Sequence, residues 1–232
     1  MNDPVIPITP TPTTPTPTTK TYKNLRVPVT KRALDLVVTV PLLVLLSPVL
    51  ALIAIAIKLT SPGPVLFHQP RVGLGGKPFT MLKFRSMVVS APSDDSALRE
   101  AFREELDGTR EMEADSFKLN DDPRVTRIGK LIRATSLDEI TQLFNVVRGE
   151  MSLVGPRPAL DWEAEMFDPE FQRRTDVNPG ITGLWQVSGR SLLSTPDMLR
   201  LDLEYVDRYS IWLDIKILCK TLPTVVRGDG AR

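Results

Sequence analysis

Cysteine is nearly absent from this 232-residue chain, with Cys219 standing alone. It has no internal partner, so a disulfide-stapled secreted domain is excluded and a reducing cytoplasm fits. Cys219 reads as a packed apolar residue. Histidine is equally scarce. His68 is the single example, and without a partner acid or serine motif nearby it reads as a structural strand residue. Net charge is also missing: 29 Lys and Arg against 28 Asp and Glu leave +1, which gives no nucleic-acid-binding signal. The first 19 residues lack the apolar block of a signal peptide; "MNDPVIPITPTPTTPTPTT" reads instead as a solvated, extended tail.

What is present is unevenly placed. Lys20, Lys23, Arg26, Lys31 and Arg32 form a basic approach without an acid, Asp94 to Asp122 is acidic, and Arg124, Arg127, Lys130 and Arg133 return positive charge. Such blocks suit a surface facing anionic lipid or phosphate. Between the first two blocks lies "ALDLVVTVPLLVLLSPVLALIAIAI", Ala33 to Ile57, with Asp35 as its only charge. About 20 apolar residues span a bilayer, so a single transmembrane helix is one reading. Pro48 removes a backbone donor and predicts a kink or break, while Ser47 offers a hydroxyl to the freed carbonyls. Bases flank both ends, and positive flanks prefer the cytoplasmic side. A re-entrant helix broken at Ser47-Pro48 satisfies both observations; a buried core helix is the third reading.

From Ser61 the composition is that of a soluble domain. "VLF" and "FTMLKF" flank Gly73 to Gly76, which predicts a β-hairpin with a glycine turn; a phosphate cradle is the weaker alternative. Alternation puts Lys83 and Arg85 on one strand face. "SALREAFREELDGTREME", Ser96 to Glu113, reads as a charged surface helix with a weak stripe of Leu98, Phe102 and Leu106. Ser136-Leu137-Asp138-Glu139 matches a capping box, with Ser136 as N-cap and Glu139 at N3. First-turn acids have an ordinary explanation in capping and the helix dipole. Here, however, Arg133 precedes them and "GPRP", a rigid turn holding Arg157, follows the helix. Arginines converging on a helix N-terminus make a phosphate site, where an acid pair binds a divalent metal or attacks phosphorus. "NPGITGLWQVSGRS" then offers Gln186 and Arg190 from a loop. The last helical pattern, Ile211 to Arg227 with Trp212, Lys216 and Lys220, fits an interfacial membrane helix or a packed one.

The segments "KRALD…LSP…KLTSPGPVLFHQPRVG", "LKFRSM", "TRIGKLIRATSLDEITQLFNVVRGEMSLVGPRP", "NPGITGLWQVSGR" and "YSIWLDIKIL", in this order from about Lys31 onward, resemble the bacterial sugar transferases. These are monotopic polyprenyl-phosphate phosphoglycosyl transferases. The resemblance implies an α+β, mainly helical fold: a re-entrant membrane helix, a β-hairpin and interfacial amphipathic helices. It divides the chain into a tail (1–19), a basic approach and membrane helix (20–60) and a catalytic domain (61–232). It also implies transfer of a sugar-1-phosphate from a nucleotide diphosphate sugar, expected to be a UDP-sugar, to polyprenyl phosphate, with release of the nucleoside monophosphate. Asp138 would be the nucleophile and a ligand of Mg2+, for which Mn2+ could substitute, with Glu139 assisting. Lys83, Arg85, Arg133, Arg157, Gln186 and Arg190 would line the diphosphate site. The location implied is the cytoplasmic face of the bacterial inner membrane, at the first membrane step of surface-glycan assembly. The loop "GLWQVSGRS" and the ending "VVRGDGAR" look like members handling glucose- or galactose-type phosphates. A membrane-tethered hydrolase of nucleotide sugars and a non-catalytic scaffold remain alternatives, and the sequence leaves homo-oligomerisation open.

Overall fold

The computed structural model describes residues 26–88, 96–108, 124–189 and 193–227. The Pro/Thr tail, Lys20, Lys23, Arg190 and most of the acidic block lie outside the described residues.

The apolar run forms helix α1, Val29–Thr60, and its helical assignment continues through both Pro41 and Pro48. The interruption expected at Ser47-Pro48 is therefore not seen. Its local chemistry is. The Ser47 hydroxyl donates to the Val44 carbonyl at 2.8 Å, the acceptor that the missing Pro48 N–H would have served in an i to i−4 ladder. That bond replaces the lost one and lets the helix run on.

The basic approach also divides in an unexpected way. Lys31 is 2% exposed and donates to Asp214 Oδ2 at 2.8 Å and to the Val154 carbonyl at 2.9 Å. Arg32 donates to the carbonyls of Val146 and Val147, the last turn of a helix, where a cation also meets the negative end of the dipole. Lys31 is thus closed off from the surface, and the half-buried Arg32 is committed to a helix end. Asp35 accepts from the Ser152 hydroxyl and the Leu153 N–H, so the one acid in the run fastens it to the domain. At the far end Leu50, Ile53 and Ile57 are buried with Phe84 and Ile132.

Strands β1 (Leu66–Val72) and β2 (Pro78–Phe84) pair antiparallel from Leu66 opposite Phe84 to Val72 opposite Pro78. Their turn needs φ of +66° at Gly75 and +81° at Gly76, a region open mainly to glycine. The expected hairpin is thus present. Helix α2 (Ser96–Leu106) is more than a surface excursion: Phe102 is buried, edge-on to Trp162 at 5.3 Å. Beyond β2, Thr126 N–H bonds the Ser86 carbonyl and Thr126 caps α3 (Arg127–Ala134) through Gly129 N–H at 2.8 Å. Helix α4, Gln142–Arg148, then covers the free edge of β2. Asn145 Oδ1 accepts from Leu82 N–H at 3.0 Å, Thr141 donates to the Leu82 carbonyl at 2.9 Å, and Asn145 Nδ2 donates to the Thr80 carbonyl at 2.7 Å. Side chains here satisfy an edge that a third strand would otherwise cover.

Two short strands, β3 (Ser152–Val154) and β4 (Gly180–Thr182), run parallel, separated in sequence by α5 (Asp161–Met166). Helices α6 (Thr195–Asp207) and α7 (Ile211–Arg227) complete the fold. The core joins Met81, Leu143, Val146, Met151, Val154, Tyr205 and Ile217, and Tyr205 Oη donates to Asp214 Oδ1 at 2.7 Å. Cys219, expected to be packed, is exposed on α7, and His68 is exposed on β1.

Candidate active site

The acid pair does not open an α-helix. Ser136 adopts φ +54° and makes no side-chain cap; Leu137–Glu139 form a single 3-10 turn, and α4 begins only at Gln142. The capping box is thereby corrected. A left-handed Ser136 breaks the chain direction after α3, so Asp138 and Glu139 sit in the elbow between two helices. A three-residue turn carries little macrodipole. The field at the acids must come from side chains.

Those side chains come from β1, β2, α3 and the segment after β3. Lys83 Nζ reaches Glu139 Oε1 at 2.9 Å, because the Thr141 and Asn145 bonds hold β2 against the start of α4. Burial pushes Glu139 upward, but Lys83, Arg157 and Arg71 outweigh it and hold the carboxyl below its ordinary value. Asp138 moves the other way. Burial raises it and the Glu139 charge adds to the rise, while Lys83 and Arg133 pull it back without cancelling. Two adjacent carboxyls pushed apart in this way are fitted to different tasks.

An open cleft reaches Glu139, lined among others by Arg71, Lys83, Gln142, Arg157 and Gln186; Asp138 and Arg133 lie outside its lining. Four of the residues singled out in sequence, Lys83, Glu139, Arg157 and Gln186, therefore meet there. Arg157 is exposed on the segment after β3. That segment is anchored where Gly155 and Gly180 touch: a Cβ on Gly180 would lie 2.1 Å from Gly155 N. Arg85 does not line the cleft. Its guanidinium donates to the Ser61 carbonyl and hydroxyl at 2.8 and 2.7 Å, fastening the end of α1. Arg190 is outside the described residues.

Arg71 and Gln142 are cleft residues that the sequence reading missed, and Arg71 is the charged one. It is 5% exposed and donates to the Pro158 carbonyl at 2.9 Å and to Gln69 Oε1 at 3.0 Å. Burial, then Arg157, lower its pKa to about 10 against the pull of Glu163 and Glu139. Its only sequence signal was a charge in the strand "LFHQPRV".

The donor set for a cation is sparse. Among the described residues no group of three or more His, Cys, Asp and Glu is placed to hold a metal. Asp138 and Glu139 offer two carboxyls, one already paired to Lys83. That set fits Mg2+, which binds through one or two carboxylates together with substrate phosphates and waters.

A family model described as bacterial sugar transferase matches residues 26–228. The UDP-glucose:undecaprenyl-phosphate glucose-1-phosphate transferase of Caulobacter vibrioides is 41% identical over 209 residues, covering 87% of this chain and 71% of that protein. The exopolysaccharide production protein ExoY of Rhizobium meliloti is 40% identical over 201 residues, 87% of each chain. The UDP-galactose-lipid carrier transferase of Erwinia amylovora is 45% identical over 201 residues; these cover 87% of this chain and 41% of that longer protein. This chain thus spans about two fifths of the length of some relatives it matches, with 42% of an uncharacterized sugar transferase from Haemophilus influenzae as another case.

Proposed function

The chain belongs to the bacterial sugar transferase family, and on that premise we propose that it moves a hexose-1-phosphate from a UDP-sugar to undecaprenyl phosphate. Glucose and galactose are the sugars named for its relatives. The observation that carries the reading is the contrast within the acid pair: Glu139, held by Lys83 at 2.9 Å, lines an arginine-bearing cleft, and Asp138, next to it in the chain, is free of that clamp.

In the proposed reaction a carboxylate oxygen of Asp138 attacks the sugar-linked phosphorus. The P–O bond to the bridging oxygen breaks, its electron pair leaves with UMP, and a covalent aspartyl phospho-sugar forms. An oxygen of undecaprenyl phosphate then attacks the same phosphorus and displaces Asp138, giving undecaprenyl diphosphate sugar. A partly desolvated carboxylate is a better nucleophile than a fully hydrated one, which suits the half-buried Asp138. Lys83, Arg133 and Arg157 oppose the negative charge on the transferring group, the main demand of phosphoryl transfer. Glu139 keeps Lys83 in place. Mg2+, held by Asp138 with the phosphates of the donor, would supply further charge neutralisation.

We read α1 as a monotopic, bilayer-inserted helix on the cytoplasmic face of the inner membrane. Both of its ends are bonded to the same domain, Lys31 to Asp214 and Ser61 to Arg85, whereas a straight helix of 32 residues would run roughly 48 Å. Had it crossed the bilayer, the charged cleft packed alongside would have to enter too. Its outer side, Val37, Val40, Val44, Leu52, Ile55 and Leu59, is exposed and apolar, and Trp212 on α7 is 74% exposed, as an interfacial anchor would be.

The test is to mix the protein in membranes with Mg2+, labelled UDP-glucose or UDP-galactose, and undecaprenyl phosphate. Lipid-linked sugar diphosphate with UMP supports the reading. Free sugar phosphate without lipid product would support a hydrolase, and no turnover would leave a scaffold. Topology is tested by a label on the N-terminal tail, which should report the same side as the catalytic domain.

A further inference from the structure

Arg157 projects from a segment, Gly155 to Ala159, that belongs to no helix beyond the end of β3, and two of its residues are prolines without an N–H. Left to itself such a segment presents orphan carbonyls. Here four consecutive carbonyls are taken. Pro156 accepts from Gly180 N–H at 2.8 Å, Arg157 from Arg174 Nη2 at 2.8 Å, Pro158 from Arg71 Nη1 at 2.9 Å, and Ala159 from Val72 N–H at 2.9 Å. Two of these donors are buried guanidiniums, reaching the chain from different elements: Arg71 on β1, and Arg174 on the 3-10 segment Phe171–Asp176.

Burying a guanidinium is costly unless its charge is matched. Arg174 is matched by Asp202 of α6, with Nη2 at 2.6 Å and Nε at 2.9 Å from the same Oδ2, and Asp202 is 1% exposed. Arg174 also lies 5.0 Å from the centre of the Phe167 ring. A planar fork with several fixed donors can hold a carboxylate and a carbonyl together; a lysine ammonium holds them less rigidly. Asp202 and Arg174 do not line the cleft that holds Glu139 and Arg157. Their effect on it passes through the backbone of Arg157.

We infer that Arg174, held by Asp202, is a positioning residue that fixes Arg157 for a nucleoside diphosphate, with Arg71 gripping the next carbonyl. The inference rests on the proposed reading of Arg157 as a diphosphate-binding side chain. It assigns to α6, whose residues line no part of the cleft, a role in donor affinity. The buried pair would otherwise be retained for stability alone, a role that charge-neutral replacement commonly spares.

A double-mutant cycle in UDP binding separates the two roles. The full-length protein in detergent is titrated with UDP in four forms: unchanged, Arg157→Ala, the charge-neutral pair Arg174→Gln/Asp202→Asn, and all three substitutions together. Positioning predicts that the neutral pair weakens UDP by about tenfold when Arg157 is present, within the range of coupled residues, and by less than about twofold when it is absent. Equal losses in both backgrounds, or no loss in either, overturn the inference. Should the neutral pair fail to fold, Arg174→Lys keeps the charge facing Asp202 while losing the fork, and the same cycle applies. If UDP binding behaves as predicted but no sugar phosphate reaches undecaprenyl phosphate, the proposed activity fails and the positioning role stands. If the unchanged protein binds no UDP, both fail.

Discussion

Lys83 and Glu139 meet at 2.9 Å although 56 positions separate them in sequence, and this pair leaves Asp138 as the unclamped member of the acid pair. Replacing Lys83 with Met removes the largest influence that lowers Glu139, so burial then dominates and its pKa rises. A depressed carboxyl contributes stability above its unfolded pKa and loses it as pH falls through the folded value. Lys83 also pulls Asp138 down, so the acid limb of the pH–rate profile, which follows ionisation of the nucleophile, should move to higher pH in Lys83→Met. The stability gained on raising pH through the carboxylate range should shrink. An unmoved acid limb would show that Lys83 does not set the ionisation of the nucleophile.

Asp138→Asn is expected to lower turnover by about 10⁴-fold or more, as loss of a covalent nucleophile does in other enzymes, and to abolish the phospho-sugar adduct seen by intact mass. Binding to vesicles should be unchanged, because the residues proposed to face the membrane lie on α1 and α7. Persistent transfer by Asp138→Asn would sink the covalent mechanism.

Lys31→Met strands Asp214 in the core, 0% exposed. Breaking one side of a buried pair costs roughly 3–5 kcal/mol, read as a lower urea midpoint. Asp214→Leu added to Lys31→Met should recover much of that loss, since no unmatched charge then remains.

Ser47 and Pro48 should behave as a unit. Ser47→Ala in the natural background leaves the Val44 carbonyl without its donor and should cost about 1 kcal/mol. With Pro48→Ala the backbone N–H returns and Ser47→Ala should cost little. Independent, additive losses would show that the hydroxyl does not stand in for the amide.

Gly180→Ala tests the contact that anchors the Arg157 segment. Its Cβ would fall 2.1 Å from Gly155 N and 2.5 Å from the Thr182 carbonyl, both backbone atoms that cannot rotate aside. Strain from such overpacking is typically about 1–3 kcal/mol. Thermal stability and UDP affinity should fall together, whereas Gly108→Ala, with nothing within 4 Å of its Cβ, should leave UDP affinity alone.

The linear chain determined a good deal of this protein. The apolar run, the glycine turn of the hairpin, the helix after the acid pair and the rigid "GPRP" turn follow from local rules: hydropathy, positive φ, helical periodicity and proline geometry. The family resemblance rests on the same short motifs. Tertiary structure decided where each charge went. Lys83 and Arg85 share a strand and an alternation, yet one meets Glu139 and the other Ser61. Lys31 and Arg32 look like lipid-facing bases and instead close a buried network and a helix end. Ser136 reads as a cap and is a left-handed corner, because α3 is fixed against Ser86 while α4 is tied to β2, and the link between them has to turn. Arg174 and Asp202 carry no local signal, and Arg71 only that of a charge within a strand. A charge is buried only where partners from distant segments converge on it, and that convergence exists in the folded chain alone.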